Sequence, residues 1–112
     1  MMGAEKNFEN KIKDYIKNEL KGWYVKFFAN SFTKSGIPDI LACINGYFVA
    51  IEVKAQNGIV KPLQERKIRE IRKAYGFAFV VYPSGWKEFK KFLDDLNKGY
   101  YFETNKLPTI FK

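Results

Sequence analysis

A chain of 112 residues with 46% hydrophobic and 18% aromatic content can build one domain, 1–112, around one packed core, which excludes global disorder. It contains no histidine, which excludes His-based triads, His-metal nucleases and Cys-His zinc fingers, and leaves any metal to oxygen ligands, hence Mg²⁺ or Mn²⁺ rather than zinc. Its 20 Lys and Arg against 12 Asp and Glu give a net charge of +8, which favours a polyanionic partner such as nucleic acid, with solubility alone as the bland alternative.

Residues 8–20 carry Phe8, Ile12, Tyr15, Ile16 and Leu20 at helical spacing, a stripe that predicts the first helix. Asn7 is its expected N-cap and Gly22 its end. Glu9 falls at the edge of the stripe, where it reads as a helix-start carboxylate favoured by the macrodipole. Residues 23–29 are aromatic and β-rich and predict a strand with Tyr24, Lys26 and Phe28 on one face. Residues 30–36 are polar and read as a loop. Pro38 fixes its own φ and biases Ile37 to an extended shape, which steadies Asp39 at the mouth of the next strand.

Residues 39–55 read as a hairpin, two apolar runs around an Asn45-Gly46 turn. Alternation puts Phe48, Ala50, Glu52 and Lys54 on one face and Tyr47, Val49, Ile51 and Val53 on the other. Glu52 and Lys54 thus interrupt an apolar face, and Asp39 lies at the same end of the hairpin. After a turn at 56–58, a second helix is expected over 61–75, with Pro62 in its first turn and Gly76 beyond its end. Gln64, Ile68, Ile71 and Tyr75 share its inward stripe. Arg66, Arg69 and Lys73 lie opposite, either as a DNA-binding patch or as a solvated helix face; Lys26 is a further candidate for phosphate contact.

Residues 77–82 are continuously apolar, as in a strand covered on both faces. Ser84 is the expected N-cap of a third helix over 86–96, with Phe89, Phe92, Leu93 and Leu96 inward. The tail, 99–112, is apolar enough to pack on its own domain or on a second copy. The order predicts an α/β fold: a four-stranded mixed sheet flanked by helices, its first three strands a meander and its fourth reached by a parallel crossover, with an extra C-terminal helix and an apolar tail. The lone Cys43 is expected to be buried, which points to a reducing, cytoplasmic setting. No apolar run approaches the roughly 18–20 residues that span a membrane, and no signal peptide is read at Met1. No GxxxxGK[ST] or GxGxxG motif supports nucleotide binding.

Asp39 and Glu52 offer hard oxygen ligands, and the Val53 carbonyl between Glu52 and Lys54 can add a third, a set suited to Mg²⁺. Such an ion acidifies water and neutralises charge building on phosphorus. Lys54 beside it can orient the nucleophile or stabilise that charge. Gln64 can fix Lys54 or the water, and Glu9 can add a supporting carboxylate or help hold a second metal. Singly, Pro-Asp is a common turn and Glu-x-Lys an exposed ion pair worth little. Together around one hairpin they favour a phosphodiester metal site.

On Glu9-x-x-Ile12, Lys26, Gly36-Ile37-Pro38-Asp39, Glu52-Val53-Lys54 and Gln64, the chain resembles the PD-(D/E)xK nuclease superfamily. It is most similar to the small stand-alone phage form of the virus-type replication-repair (VRR-NUC) nucleases. The resemblance implies a restriction-endonuclease-like αβββαβ core and Mg²⁺- or Mn²⁺-dependent DNA hydrolysis. It implies metal carboxylates at Asp39 and Glu52, a catalytic lysine at Lys54, and supporting residues at Gln64 and Glu9. It also implies branched DNA (Holliday junctions or flaps) as substrate, a homodimer, and an intracellular setting in a bacterial or phage-infected cell. The alternative is a nuclease fold that recruits DNA or a partner without cutting.

Overall fold

Helix α1 (Met2–Asp14) opens the chain in the computed structural model, which describes residues 2–28 and 36–112. It begins before the predicted start because Ala4, Glu5 and Lys6 favour helix without adding to the apolar stripe. Asn7 therefore lies inside the helix rather than at its cap. The helix continues as a π-helical turn, Tyr15–Glu19, and Leu20 N–H reaches back to Tyr15 O at 3.0 Å. Lys21, at φ +57°, takes the left-handed exit expected of Gly22. Gly22 serves close approach instead: a Cβ there would stand 3.0 Å from Cys43 O.

Strands β1 (Trp23–Lys26), β2 (Ile40–Ile44) and β3 (Tyr47–Val53) form an antiparallel meander. β1 ends short of the predicted boundary; Ala29 and most of the expected loop, 30–35, lie outside the described residues. Asn45 at φ +50° and Gly46 at φ +84° make the two-residue turn that pairs Ile44 with Tyr47. The register sets Ile40 opposite Ile51, which carries Asp39 to the position opposite Glu52.

Helix α2 (Pro62–Lys73) makes the crossover to β4 (Phe77–Val81), which runs parallel to β3 with Val53 beside Val81. It closes with Gly76 N–H on Ile71 O and Tyr75 N–H on Arg72 O, both at 3.0 Å, around a left-handed Tyr75 at φ +68°. Tyr75 is exposed rather than part of the inward stripe, and Arg72 is buried in its stead. Helix α3 (Trp86–Asn97) follows a short 3-10 turn, Pro83–Gly85, so Gly85 rather than Ser84 takes its N-cap.

The tail supplies a fifth strand, β5 (Ile110–Phe111), and the sheet order is β1-β2-β3-β4-β5 rather than four strands. β4 would otherwise present unpaired backbone at the sheet edge. Val80 N–H instead donates to Thr109 O at 2.8 Å and Tyr82 N–H to Phe111 O at 2.9 Å. The tail thus packs on its own domain, with Phe111 in edge contact with Phe79 and Phe89.

One sheet face buries Ile40, Ile44, Val49, Ile51, Val53 and Phe79 together with residues of α1 and α3, and the other buries Ala50, Ala78 and Val80 with Ile68 of α2. α2 leaves the β1 end of its face open, where Trp23 and Phe48 are exposed. Cys43 lies between them in the strand register and is exposed as well, which corrects the buried thiol expected from its strand position. Among the described residues, no helix is long and apolar enough to cross a membrane.

Arg72 ties the tail to α2. Its guanidinium donates to the carbonyls of Thr104, Leu107 (2.6 Å) and Pro108 (3.2 Å) and lies 5.5 Å from the Phe79 ring. Replacing it leaves buried carbonyls unsatisfied. Arg72→Met is expected to cost about 3 kcal/mol in urea denaturation, with amide exchange rising first over 104–111.

Candidate active site

An apolar strand buries charge only when the charge finds partners. Glu9 (3% exposed), Glu52 (4%) and Lys54 (7%) all find them at the end of the sheet where β1 and β3 finish and β2 begins. Alternation along β3 sends Glu52 and Lys54 to the α2 face, after Ala50. Gln64, in the first turn of α2, joins both. Its Nε2 donates to Glu52 Oε2 at 2.9 Å, and its Oε1 accepts from Lys54 Nζ at 2.8 Å. The same Oε1 accepts from Lys61 N–H at 3.0 Å, half of a capping box, so helix capping and site geometry share one amide. Lys54 Nζ stands 3.5 Å from Glu52 Oε2.

Asp39 is fixed by the backbone. Lys54 N–H bonds to Val81 O on β4, so the polar edge of Val53 faces the opposite way, past the start of β2. Asp39 Oδ2 fills that place and accepts from Val53 N–H at 2.8 Å. The Val53 carbonyl lies on the same edge of the strand. Asp39 Oδ1 is 3.2 Å from Lys26 Nζ, which also donates to Glu9 Oε1 at 2.8 Å.

Glu9 is therefore no helix-start residue. It sits in the middle of α1 with its carboxylate turned to the sheet, and its Oε2 is 3.2 Å from Lys13 Nζ and 3.6 Å from Lys6 Nζ. That oxygen has ion-pair contacts without a well-aligned hydrogen bond. Lys26 is the half-buried bridge between Glu9 and Asp39. The structure thus gathers Glu9, Lys26, Asp39, Glu52, Val53, Lys54 and Gln64 into one network. It leaves Arg66, Arg69 and Lys73 exposed on α2, with Arg66 paired to Glu70 at 3.2 Å and Arg69 to Glu65 at 2.6 Å. Lys13 and the Lys61 N–H were not anticipated. The i, i+4 spacing of Lys13 from Glu9 was the available signal for the first.

Charge is balanced in one half of the network only. Burial works to raise the Glu9 carboxyl, but hydrogen bonds and attraction from Lys26 and Lys13 outweigh it and hold the group below the usual carboxylate range. Burial works to lower Lys26, and the Glu9 and Asp39 carboxylates raise it above its ordinary value. Glu52 is the uncompensated member: burial first, then repulsion from Asp39, push it up to about 8 against the attraction of Lys54.

Two facing carboxyl groups, one of them disfavoured as the anion by burial and by its neighbour, and a backbone oxygen on the adjoining edge, fit a hard divalent cation. Among the described residues, no three Asp, Glu, His or Cys side chains cluster as a ligand group, so a cation here would need backbone oxygen and solvent to complete two carboxylates. Mg²⁺ characteristically keeps several waters in such a set. Comparison with protein-family models and with curated proteins gives no match, and the site residues alone carry the functional reading.

The raised Glu52 pKa has a definite sign. Glu52 holds its proton more tightly folded than unfolded, so stability falls as pH rises from about 4.5 through about 8. Glu9 acts in the opposite sense, its contribution being lost as pH falls through the acid range. In EDTA, the melting temperature is expected to drop between neutral pH and about pH 9. Glu52→Gln is expected to flatten that slope and to be the more stable protein at the alkaline end, by at most a few kcal/mol.

Proposed function

We propose that this protein is a divalent-metal-dependent DNA endonuclease of the PD-(D/E)xK kind, built on a restriction-endonuclease-like core. The observation that carries the reading is Asp39 opposite Glu52 at the strand ends, with Lys54 Nζ 3.5 Å from Glu52 and clamped by Gln64. The meander followed by a parallel crossover to β4 supports the core assignment. The net charge of +8 supports a polyanionic substrate.

Asp39, Glu52 and the Val53 carbonyl would hold Mg²⁺ or Mn²⁺. When bound, that ion supplies Lewis-acid stabilisation of charge on the phosphate and favours ionisation of the attacking water. The chain's own groups do the rest. Lys54 presents its ammonium beside Glu52, where it orients the attacking water or offsets charge on the pentacovalent phosphorus. Gln64 is a positioning residue, because its amide fixes the Lys54 ammonium and the Glu52 carboxylate together. Lys26 holds Asp39 in the same manner, with Glu9 behind it. The water oxygen bonds to phosphorus and its proton passes to solvent, the bond to the leaving strand breaks, and the leaving oxygen takes up a proton from solvent. Branched DNA as substrate, an intracellular setting, and a homodimer that places two symmetric cuts across a junction belong to the same proposal.

Lys26 favours a second reading. Its ammonium already neutralises Asp39 as a cation would, which suits a nuclease fold that binds DNA without cutting. Labelled junction, flap and duplex DNA incubated with Mg²⁺, Mn²⁺ or EDTA separate the two. The nuclease reading expects products only with metal; binding without products in either metal moves the assignment to the second. Asp39→Ala and Lys54→Ala are expected to lower cleavage by about 100-fold or more while DNA binding stays within a few-fold. Gln64→Ala is expected to cost about tenfold, as a positioning residue should. Undiminished cleavage by Lys54→Ala would remove the lysine from the mechanism.

A further inference from the structure

A groove follows the side of α2 that faces β5 and the tail. Its first section, about 240 Å³, lies among Val60, Ile68, Arg69, Val80 and Ile110. Through Arg69 and Thr109 it joins a section of about 490 Å³ that reaches Lys73 and Tyr75. That section shares Tyr75 and Asn105 as walls with a third, of about 410 Å³, bounded by Tyr47, Tyr101 and Glu103. The groove starts beside Val60, next to the α2 N-cap Lys61, and runs to the far end of the helix. With 12 residues in α2, this is about 18 Å.

The far end is aromatic and basic. Tyr75 is 81% exposed and Tyr101 78% exposed, and Tyr47 is partly exposed beside them. Tyr75 sits at φ +68°, a left-handed position that glycine or asparagine fills more easily and that costs a bulky residue about 1 kcal/mol. Its ring contributes nothing to the core in return. Arg69 and Lys73 line the same section. The Arg69–Glu65 pair is solvent-exposed, so Arg69 can exchange it for another anion. Arg72 is committed to tail carbonyls and holds the wall.

We propose that this groove binds single-stranded nucleic acid, with bases stacked on Tyr75 and Tyr101 and phosphates held by Arg69 and Lys73. Every unpaired base offers a π-face, and exposed aromatic rings beside basic side chains are the chemistry that binds single strands without reading sequence; the Glu65 and Glu103 carboxylates that also line the groove are held in exposed pairs with Arg69 and Lys106. A duplex keeps its bases stacked on one another and gains only the phosphate contacts. The site goes beyond the nuclease reading and stands on the groove alone.

Fluorescence anisotropy in EDTA, with a short labelled DNA strand, the matching RNA strand and a blunt duplex, tests it without cleavage. Tyr75→Ala and Tyr75→Gly are expected to bind single strands about tenfold more weakly, Tyr75→Phe to bind as wild type, and duplex affinity to be unchanged in Tyr75→Ala. Tyr75→Gly also relieves the left-handed position, so its melting temperature should equal or exceed wild type, which removes misfolding as a cause. The polymer that loses more affinity, DNA or RNA, identifies the occupant. Wild-type single-strand affinity in both the alanine and glycine variants overturns the proposal, and so does an equal loss for the duplex. Cleavage assayed separately in Mg²⁺ reads the nuclease assignment, so the two failures are told apart.

Discussion

The Gln64 amide is the constraint on which the end of this sheet depends. Glu52 and Lys54 are two residues apart on a strand whose face is otherwise apolar, and both side chains are almost wholly buried. An acid and an ammonium in that setting are destabilising unless hydrogen-bonded. One amide supplies a donor to the first and an acceptor to the second, and its acceptor also caps α2. The helix can therefore start only where the strand's charges allow. The first turn of α2 and two buried charged side chains are thus held by one amide, while Ile68 and Arg72 anchor the rest of the helix.

Asp39 performs a comparable task on the other edge of β3. Val53 N–H needs an acceptor just where β2 has not yet begun, and a side-chain oxygen takes the role that a paired strand would fill. Asp39 is brought opposite Glu52 as a result, and burial, with their repulsion added, raises the Glu52 pKa. Lys26, shared with Glu9, relieves Asp39 but leaves Glu52 short of positive charge. The same backbone need that ends the strand pair thus creates an electrostatic deficit suited to a cation. Paired strand ends hold that deficit in place, which is the preorganisation that the proposed phosphodiester hydrolysis would use.

At the opposite end of α2, the tail decides the surface. Arg72 draws 104–108 against the helix, and β5 seals the edge of β4. A groove between helix and tail follows from that closure, and its exposed tyrosines and basic residues give it a chemistry distinct from that of the carboxylate cluster.

Several features were legible in the residues. Asn45-Gly46 requires two left-handed residues in succession, so it fixes the turn, and the turn fixes the register that faces Asp39 with Glu52. Period-two alternation then dictates that Glu52 and Lys54 share the α2 face. Helical spacing placed Gln64 inward for the same kind of reason. Long-range partners were not legible, because no local period encodes them. Glu9 looked like a helix-start carboxylate until α1 proved to begin at Met2 and Lys26 proved to lie across from it. Arg72 carried no signal in the helical pattern, because the carbonyls it binds come from the tail. Two residues, Ile110 and Phe111, form a strand only because β4 presents an unpaired edge. The sequence by itself determined the hairpin, the face of each strand residue and the inward amide, since these depend on turn chemistry and periodicity. The tertiary structure alone decided which buried charge meets which, because that depends on where distant segments end up in space.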